Sequence, residues 1–187
     1  RKGLEQVAHK EVETLLEKGA VADTVDPVDG RAALHIGSAM GDKALVNLLL
    51  DKGADVNIRN DNKSTALHYA VENMDSDMTL LLLARGANIH LADRDSRTVL
   101  HITLEMGEVE MASTLLQMGA DVNAVDSEGR TALHDTVLKG ATEMVSTLLG
   151  QSADVLAIDS EFKNPLHYAV EKGFTEIIPL LLAPSRD

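Results

Sequence analysis

The chain has no cysteine and no tryptophan among its 187 residues. Without cysteine, neither a disulfide framework nor a thiolate zinc site can hold the fold together. A reducing compartment is therefore the default expectation: intracellular and cytoplasmic, with the nucleus as an alternative. Long hydrophobic runs are missing too. The longest nearly continuous ones, residues 78–84 and 177–184, fall well short of the roughly 18 apolar residues that cross a bilayer, so no membrane partner is expected. Basic residues are outnumbered, with 17 Lys and Arg against 30 Asp and Glu, and the net charge of -13 repels phosphate backbones and anionic lipid surfaces. Nucleic acid is not an expected partner. No glycine-rich phosphate loop, His-Glu-x-x-His pair or Gly-x-Ser-x-Gly elbow occurs, which removes the short motifs that would announce an enzyme. The first residues, Arg1-Lys2-Gly3, include no initiator methionine and precede no apolar signal region. The sequence reads as a piece of a longer protein.

What the chain does have is a beat. A Leu-His pair returns every 33 residues, at Leu34-His35, Leu67-His68, Leu100-His101, Leu133-His134 and Leu166-His167. Gly53-Ala54, Gly86-Ala87, Gly119-Ala120 and Ser152-Ala153 keep the same interval, while Gly19-Ala20 stands 34 before Gly53, which places a one-residue insertion near 24–27. The register divides the chain into a partial copy at 1–26, full copies at 27–59, 60–92, 93–125 and 126–158, and an incomplete copy at 159–187. A fixed period of this length means one supersecondary unit stacked on copies of itself.

The fourth copy shows the unit most plainly. Asp126-Ser-Glu-Gly129 is a turn sequence, since Asp supplies a side-chain hydrogen bond and Gly a permissive backbone. Thr131 is placed to cap a helix over 132–138, Gly140 stops it, and a second helix resumes over 143–149. Met144, Val145, Leu148 and Leu149 line one side of that second helix. A lone helix pair cannot bury such a stripe, so each copy must lean on its neighbours.

The run from Asp126 through Thr131-Ala-Leu-His134, then Gly140, Leu148-Leu149 and Ala153-Asp154-Val155, resembles an ankyrin repeat, and so does Asp121-Val122-Asn123 closing the copy before it. The resemblance covers about residues 12–182. It implies an all-α repeat solenoid: a curved stack of helix-turn-helix units with β-hairpin fingers along one edge, and a concave palm formed by the fingers and the first helices. It also implies that Asn57 and Asn123 match a finger asparagine open to hydroxylation in animal members, although finger hydrogen bonding is the plainer use of both.

Several positions depart from the family pattern. The turn glycine of Gly30 and Gly129 becomes Lys63, Ser96 and Phe162, and the interhelical glycine of Gly41, Gly107, Gly140 and Gly173 becomes Met74; less regular loops are expected there. Only Pro165 keeps the proline favoured before Leu-His. Pro179 lies early in the last second helix, which should start late or bend. At the front, a second helix is expected over 12–17, with too little chain before it for a full finger and first helix. At the back, the next finger would begin at Pro184. Ile177, Ile178, Leu181 and Leu182 do not make the polar outer face of a terminal repeat, so a further repeat or domain is expected to cover that end.

Seven histidines invite a metal, but five are the repeat histidines. Zinc brings two ligand nitrogens within roughly 4 Å of each other, whereas stacked helices lie about 8 to 10 Å apart. Hydrogen bonding to the backbone between fingers is the expected role of these rings. Asp93-Arg-Asp95 begins like a calcium loop, but Arg97, Thr98 and Leu104 hold the next required positions. No cofactor, metal or catalytic residue is expected.

The expected function is a non-enzymatic protein-protein interaction module that binds a protein or peptide on palm and fingers, with the fragment itself monomeric. The alternative is a passive spacer or regulatory segment of a larger enzyme, receptor or channel. Function must lie where copies differ, since the repeated residues serve packing. Counting from each histidine, the palm candidates are Met40, Tyr69, Ile102, Met106, Leu138, Lys139 and Tyr168. Both tyrosines occupy one repeat position, and tyrosine is a frequent interface anchor. The finger candidates are Arg31, Asp61, Arg97, Arg130 and Lys163, from fingertips of alternating charge that could orient a partner.

Overall fold

The computed structural model describes residues 2–183, with side chains from residue 9 onward. The chain divides into two compact units, Arg1–Arg94 and Asp95–Asp187. The first holds α1 (Lys2–Glu17), α2 (Ala33–Ala39), α3 (Lys43–Asp51), α4 (Ala66–Glu72) and α5 (Ser76–Ala84). The second holds α6 (Val99–Met106), α7 (Val109–Gln117), α8 (Ala132–Leu138), α9 (Thr142–Gly150), α10 (Pro165–Lys172) and α11 (Ile178–Leu182). Apart from α1, these helices are too short to persist alone in water. They are stabilised by packing: α2 on α3 and α4, and α4 on α5, in the first unit; α6 on α7 and α8, α8 on α9 and α10, and α10 on α11 in the second.

Each first helix starts on the same device. The N-cap backbone N–H donates to Nδ1 of the repeat histidine three residues on, from Ala32 to His35 (2.9 Å), Thr65 to His68 (3.1 Å), Thr98 to His101 (3.2 Å), Thr131 to His134 (3.1 Å) and Asn164 to His167 (3.0 Å). With Nδ1 accepting, Nε2 carries the proton. In His35 it donates to the carbonyls of Ile58 and Ser64 (both 3.1 Å), and in His134 to that of Lys163 (3.2 Å). Each histidine thus satisfies an orphan donor of its own helix, and in His35 and His134 the ring also ties that helix to the next finger. Second helices α3 and α5 use an ordinary side-chain cap, Asp42 accepting from Leu45 N–H (3.0 Å) and Asp75 from Met78 N–H (2.9 Å).

Adjacent fingers are stitched by one recurring bond: the Asp61 N–H donates to the Asp29 carbonyl (3.2 Å), Arg94 to Asn62 (2.8 Å), Ser127 to Asp95 (2.8 Å) and Ser160 to Glu128 (2.8 Å). The core of the second unit gathers Leu100, Leu133, Val137, Met144, Val145 and Leu148, all nearly inaccessible to water. Leu34, Val46, Leu49, Leu67 and Met78 fill the equivalent places in the first.

Four expectations need amendment. The front helix is not confined to 12–17, because α1 runs from Lys2. The fingers are tight turns closed by isolated antiparallel bridges, Val25 with Ala32 and Val125 with Thr131, and among the described residues no strand forms. The copies lacking glycine do not have irregular loops. Lys63, Ser96 and Phe162 hold φ of 59°, 59° and 60° beside 70° and 76° for Gly30 and Gly129, and Met74 holds 55° where Gly41 has 69°. The same left-handed turn is held there by side chains that do not favour it. Ile102 belongs to the core, as described below. The late start of the last helix does occur, with Pro179 in the first turn of a five-residue α11. The place where the next finger would begin, Pro184, lies outside the described residues.

Candidate functional site

The first-helix face can be read position by position from the histidine. One residue on, side chains are drawn inward: Ile102 is 2% exposed and Asp135 6%, and the two tyrosines are half-buried, although Ile36 remains open. Ile102 is therefore a packing residue, and its expected place on an accessible palm is corrected. Four residues on, Leu138 is half-buried and Glu171 exposed. Five residues on, Met40, Asn73, Met106, Lys139 and Lys172 are all exposed, Met40 at 73% and Met106 at 40%. This last row, where the helix ends and the side chain clears its own backbone, changes chemistry from copy to copy while staying open in all of them.

Both tyrosines do structural work as well. Tyr69 Oη accepts from Asn60 Nδ2 (2.9 Å), and its ring meets the His35 ring edge-on at 5.7 Å. Tyr168 Oη donates to Asp159, its ring meets His134 edge-on at 6.2 Å, and Lys163 Nζ lies 5.2 Å from the ring centre. Each tyrosine fastens its helix to its own finger and covers the histidine of the copy before. The bond to Asp159 holds the Tyr168 hydroxyl protonated, with its pKa pushed up to about 12.

The finger cations are engaged rather than free. Arg31 meets Asp29 at 2.6 Å, and Arg97 meets Glu105 at 2.9 Å. Arg130 spans Asp126 (3.1 Å), Glu128 (3.4 Å) and Asp135 (3.5 Å), and Lys163 spans Glu161 (3.3 Å) and Glu171 (3.1 Å). Lys139 reaches back to the carbonyls of Leu104 (3.0 Å) and Glu105 at the C-terminal end of α6, where a cation is favoured. Asp61 is exposed, and its backbone N–H makes the finger stitch to Asp29. Held in this way, the fingertip charges form a fixed pattern, each pair contributing little energy of its own.

Two features escaped the list of candidates. Asp135 carries a buried carboxyl whose pKa is raised to about 6 by burial, against the pull of Arg130. The signal was present: four copies have Ile or Tyr there and one has Asp, so a polar group at a packing position was readable. Phe162 stands exposed at a fingertip in left-handed geometry, where a less regular loop was expected. The finger asparagines bridge repeats: Asn57 accepts from Asn88 N–H (2.7 Å) and Asn123 from Asp154 N–H (2.8 Å). Among the described residues no three metal-ligating side chains come together, and no helix is long and apolar enough to cross a membrane.

Comparison with known proteins agrees with the geometry. The family model for ankyrin repeats, built on three copies, matches residues 5–93, 34–126, 67–159 and 125–187. The E3 ubiquitin-protein ligase KEG of Arabidopsis thaliana is 37% identical over 71 residues, covering 38% of this chain and 4% of the ligase. A putative ankyrin repeat protein of fowlpox virus, FPV031, is 38% identical over 64 residues, covering 34% of this chain and 19% of the viral protein. The matches thus span only a small part of the length of these curated relatives. With matching segments that together run from residue 5 to residue 187, the chain belongs to the ankyrin repeat family.

Proposed function

We propose that the chain binds a protein or peptide through the ends of its first helices and the adjoining fingertips. Ankyrin repeats are in general protein-protein interaction modules, and the fold is typically non-enzymatic. The observation that carries the finer reading is the row five residues beyond each histidine, exposed in every copy and variable in chemistry. In the first unit that row offers Met40, with Tyr69 on α4 and Arg31 and Asp61 on the fingertips. In the second it offers Met106 and Lys139, with Leu138 next to Lys139 in sequence, Tyr168 on α10, and Arg97, Arg130 and Lys163 on the fingers. Exposed methionine adapts its shape to a partner's apolar groups, and fixed charges nearby set orientation and association rate. Ile102 has no direct part in this surface.

A second reading has one observation in its favour. The ligase match covers only 4% of that protein, a case of a similar segment inside a much larger polypeptide, so the repeats could equally be a spacer or regulatory arm. One comparison separates the readings: capture of partners from the source cell with the wild-type chain, with the double variant Met40→Glu/Met106→Glu, and with Leu80→Glu, which alters an exposed apolar residue on a second helix. Binding lost at least tenfold in the double variant and kept in Leu80→Glu supports the proposed surface. The opposite pattern moves the site, and no partner for any of them favours the spacer.

A further inference from the structure

We infer that Asp135, with the carboxylates around it, seats one lysine or arginine side chain of a partner on the second unit. The seat presupposes the protein-binding surface proposed above and adds the partner's charge to it. The fourth copy differs from others in how its first helix is fastened to its finger. In the second and fifth copies a tyrosine one residue past the histidine reaches the finger, Tyr69 to Asn60 (2.9 Å) and Tyr168 to Asp159. The fourth copy has the shorter Asp135 there, and Arg130 makes the fastening instead, donating from Nε (3.2 Å) and Nη2 (3.1 Å) to Asp126. Asp126 is the finger residue that corresponds to Asn60 and Asp159. Arg130 also lies 3.4 Å from Glu128 and 3.5 Å from Asp135. One guanidinium thus serves three carboxylates.

Arg97 and Lys139 do not fill the gap. Arg97 is paired with Glu105 (2.9 Å), and Lys139, one turn beyond Asp135 on α8, gives its ammonium to the carbonyls of Leu104 (3.0 Å) and Glu105. The Asp135 side chain is only 7% exposed, and its Oδ2 has no hydrogen-bond partner. Burial and the repulsion of Asp126 and Glu105 both oppose its charge, and carboxyls perturbed in this way cluster at functional sites. Asp135 and the exposed Lys139 are four residues apart and so share a face of α8, which places the carboxyl on the side where the binding row is open. The occupant has to be a cation. A neutral donor would satisfy the oxygen and leave the excess negative charge, an anion would add to it, and among the described residues no three side chains gather to hold a metal ion. A lysine or arginine brings a single charge on a long apolar stem, which can lie along the palm while the head reaches inward. The wider field agrees, because residues 95–187 carry 15 Asp and Glu against 6 Lys and Arg, a balance that steers a basic segment toward this unit.

Amino-acid amides test the seat without a partner protein. N-acetyl-arginine amide and N-acetyl-lysine amide are titrated into the full chain and followed by 15N-1H NMR at pH 7.5, above the value of about 6 near which Asp135 loses its proton; N-acetyl-alanine amide is the neutral probe. Saturable shifts centred on residues 105, 130 and 135 with a cationic probe, and none with the alanine amide, are the expected result. Asp135→Asn should weaken the binding at least tenfold. Glu143→Gln, which removes an exposed charge on α9 of the same unit, should leave it unchanged. Equal weakening in the two variants overturns the inference by reducing the effect to net charge. Undiminished binding in Asp135→Asn, shifts spread over the whole unit, or no saturation overturns it as well. A captured partner with no titration at Asp135 removes the seat alone, whereas titration at Asp135 with no partner captured removes the proposed function and leaves a cation site.

Discussion

The Asp135 carboxyl has one oxygen 3.5 Å from Arg130 Nε and the other buried without a hydrogen-bond partner. Burying an ionised group costs free energy unless it is fully paired, and Asp126 and Glu105 add repulsion that Arg130 and Lys139 only partly offset. The folded-state pKa of about 6 stands above the ordinary carboxylate value, so ionising Asp135 weakens the fold at neutral pH. Asp135→Asn keeps the shape and removes the charge. It is expected to raise stability at pH 7.5 by about 1–3 kcal/mol, seen as a higher urea midpoint, and the gain should vanish at pH 4, where the native side chain is already protonated. A variant no more stable than wild type at pH 7.5 would mean that Arg130 fully compensates the charge. Tyr168 shows the opposite arrangement: its hydroxyl gives a proton to a finger carboxylate, Asp159, that can use it. The same repeat position therefore weakens the fold in the fourth copy and helps it in the fifth.

At the scale of helices and turns, the left-handed residues decide more than composition suggested. Gly30, with φ of 70°, leaves room for the next finger, since an added Cβ would stand 2.5 Å from Asp61 Oδ1 and 2.9 Å from its backbone nitrogen. Lys63 and Ser96 hold the same turn with a side chain present, at a cost of order 1 kcal/mol each. Lys63→Gly and Ser96→Gly are expected to raise the thermal midpoint, whereas Gly30→Ala should lower it; calorimetry of the three variants checks the signs. These elements also mark how far the sequence could be read. The Leu-His and Gly-Ala intervals revealed the helix pairs because every copy solves the same packing problem with the same residues. The persistence of the turn at Lys63, Ser96, Met74 and Phe162 was hidden, because propensity describes a residue alone and these positions hold the left-handed turn against it. The binding row was displaced for a related reason. One and five residues beyond the histidine look equivalent on a helical wheel, but Ile102 at the first position is buried and Met106 at the second is open. The start of α1 at Lys2 was missed because the register pairs residues 2–11 with 36–45, where later copies break between two helices and α1 does not.

Across the whole molecule the repeated histidine couples folding to pH. His35, His101 and His134 have pKa values lowered by burial, so each is neutral in the folded chain. The geometry gives the reason a proton is unwelcome: Nδ1 accepts the N-cap N–H at 2.9 to 3.2 Å, and a protonated Nδ1 would turn that bond into two donors facing each other. The unfolded chain takes up these protons near the ordinary histidine pKa of about 6.5, so below that pH it binds more protons than the native state and stability falls as pH falls. Asp135 acts in the opposite sense, its stabilising protonation being complete below the ordinary carboxylate pKa and lost as pH rises through about 6. Three rings against one carboxyl should leave a net loss of stability between pH 7 and pH 5. Urea midpoints followed by circular dichroism at pH 7.5, 6.5 and 5.5 are expected to decline in order, and more steeply in Asp135→Asn, where the opposing group is gone. A midpoint that stays level over that range in both proteins would show that the rings accept protons without giving up their caps, and would separate the conserved geometry of the repeat from any sensitivity to acid.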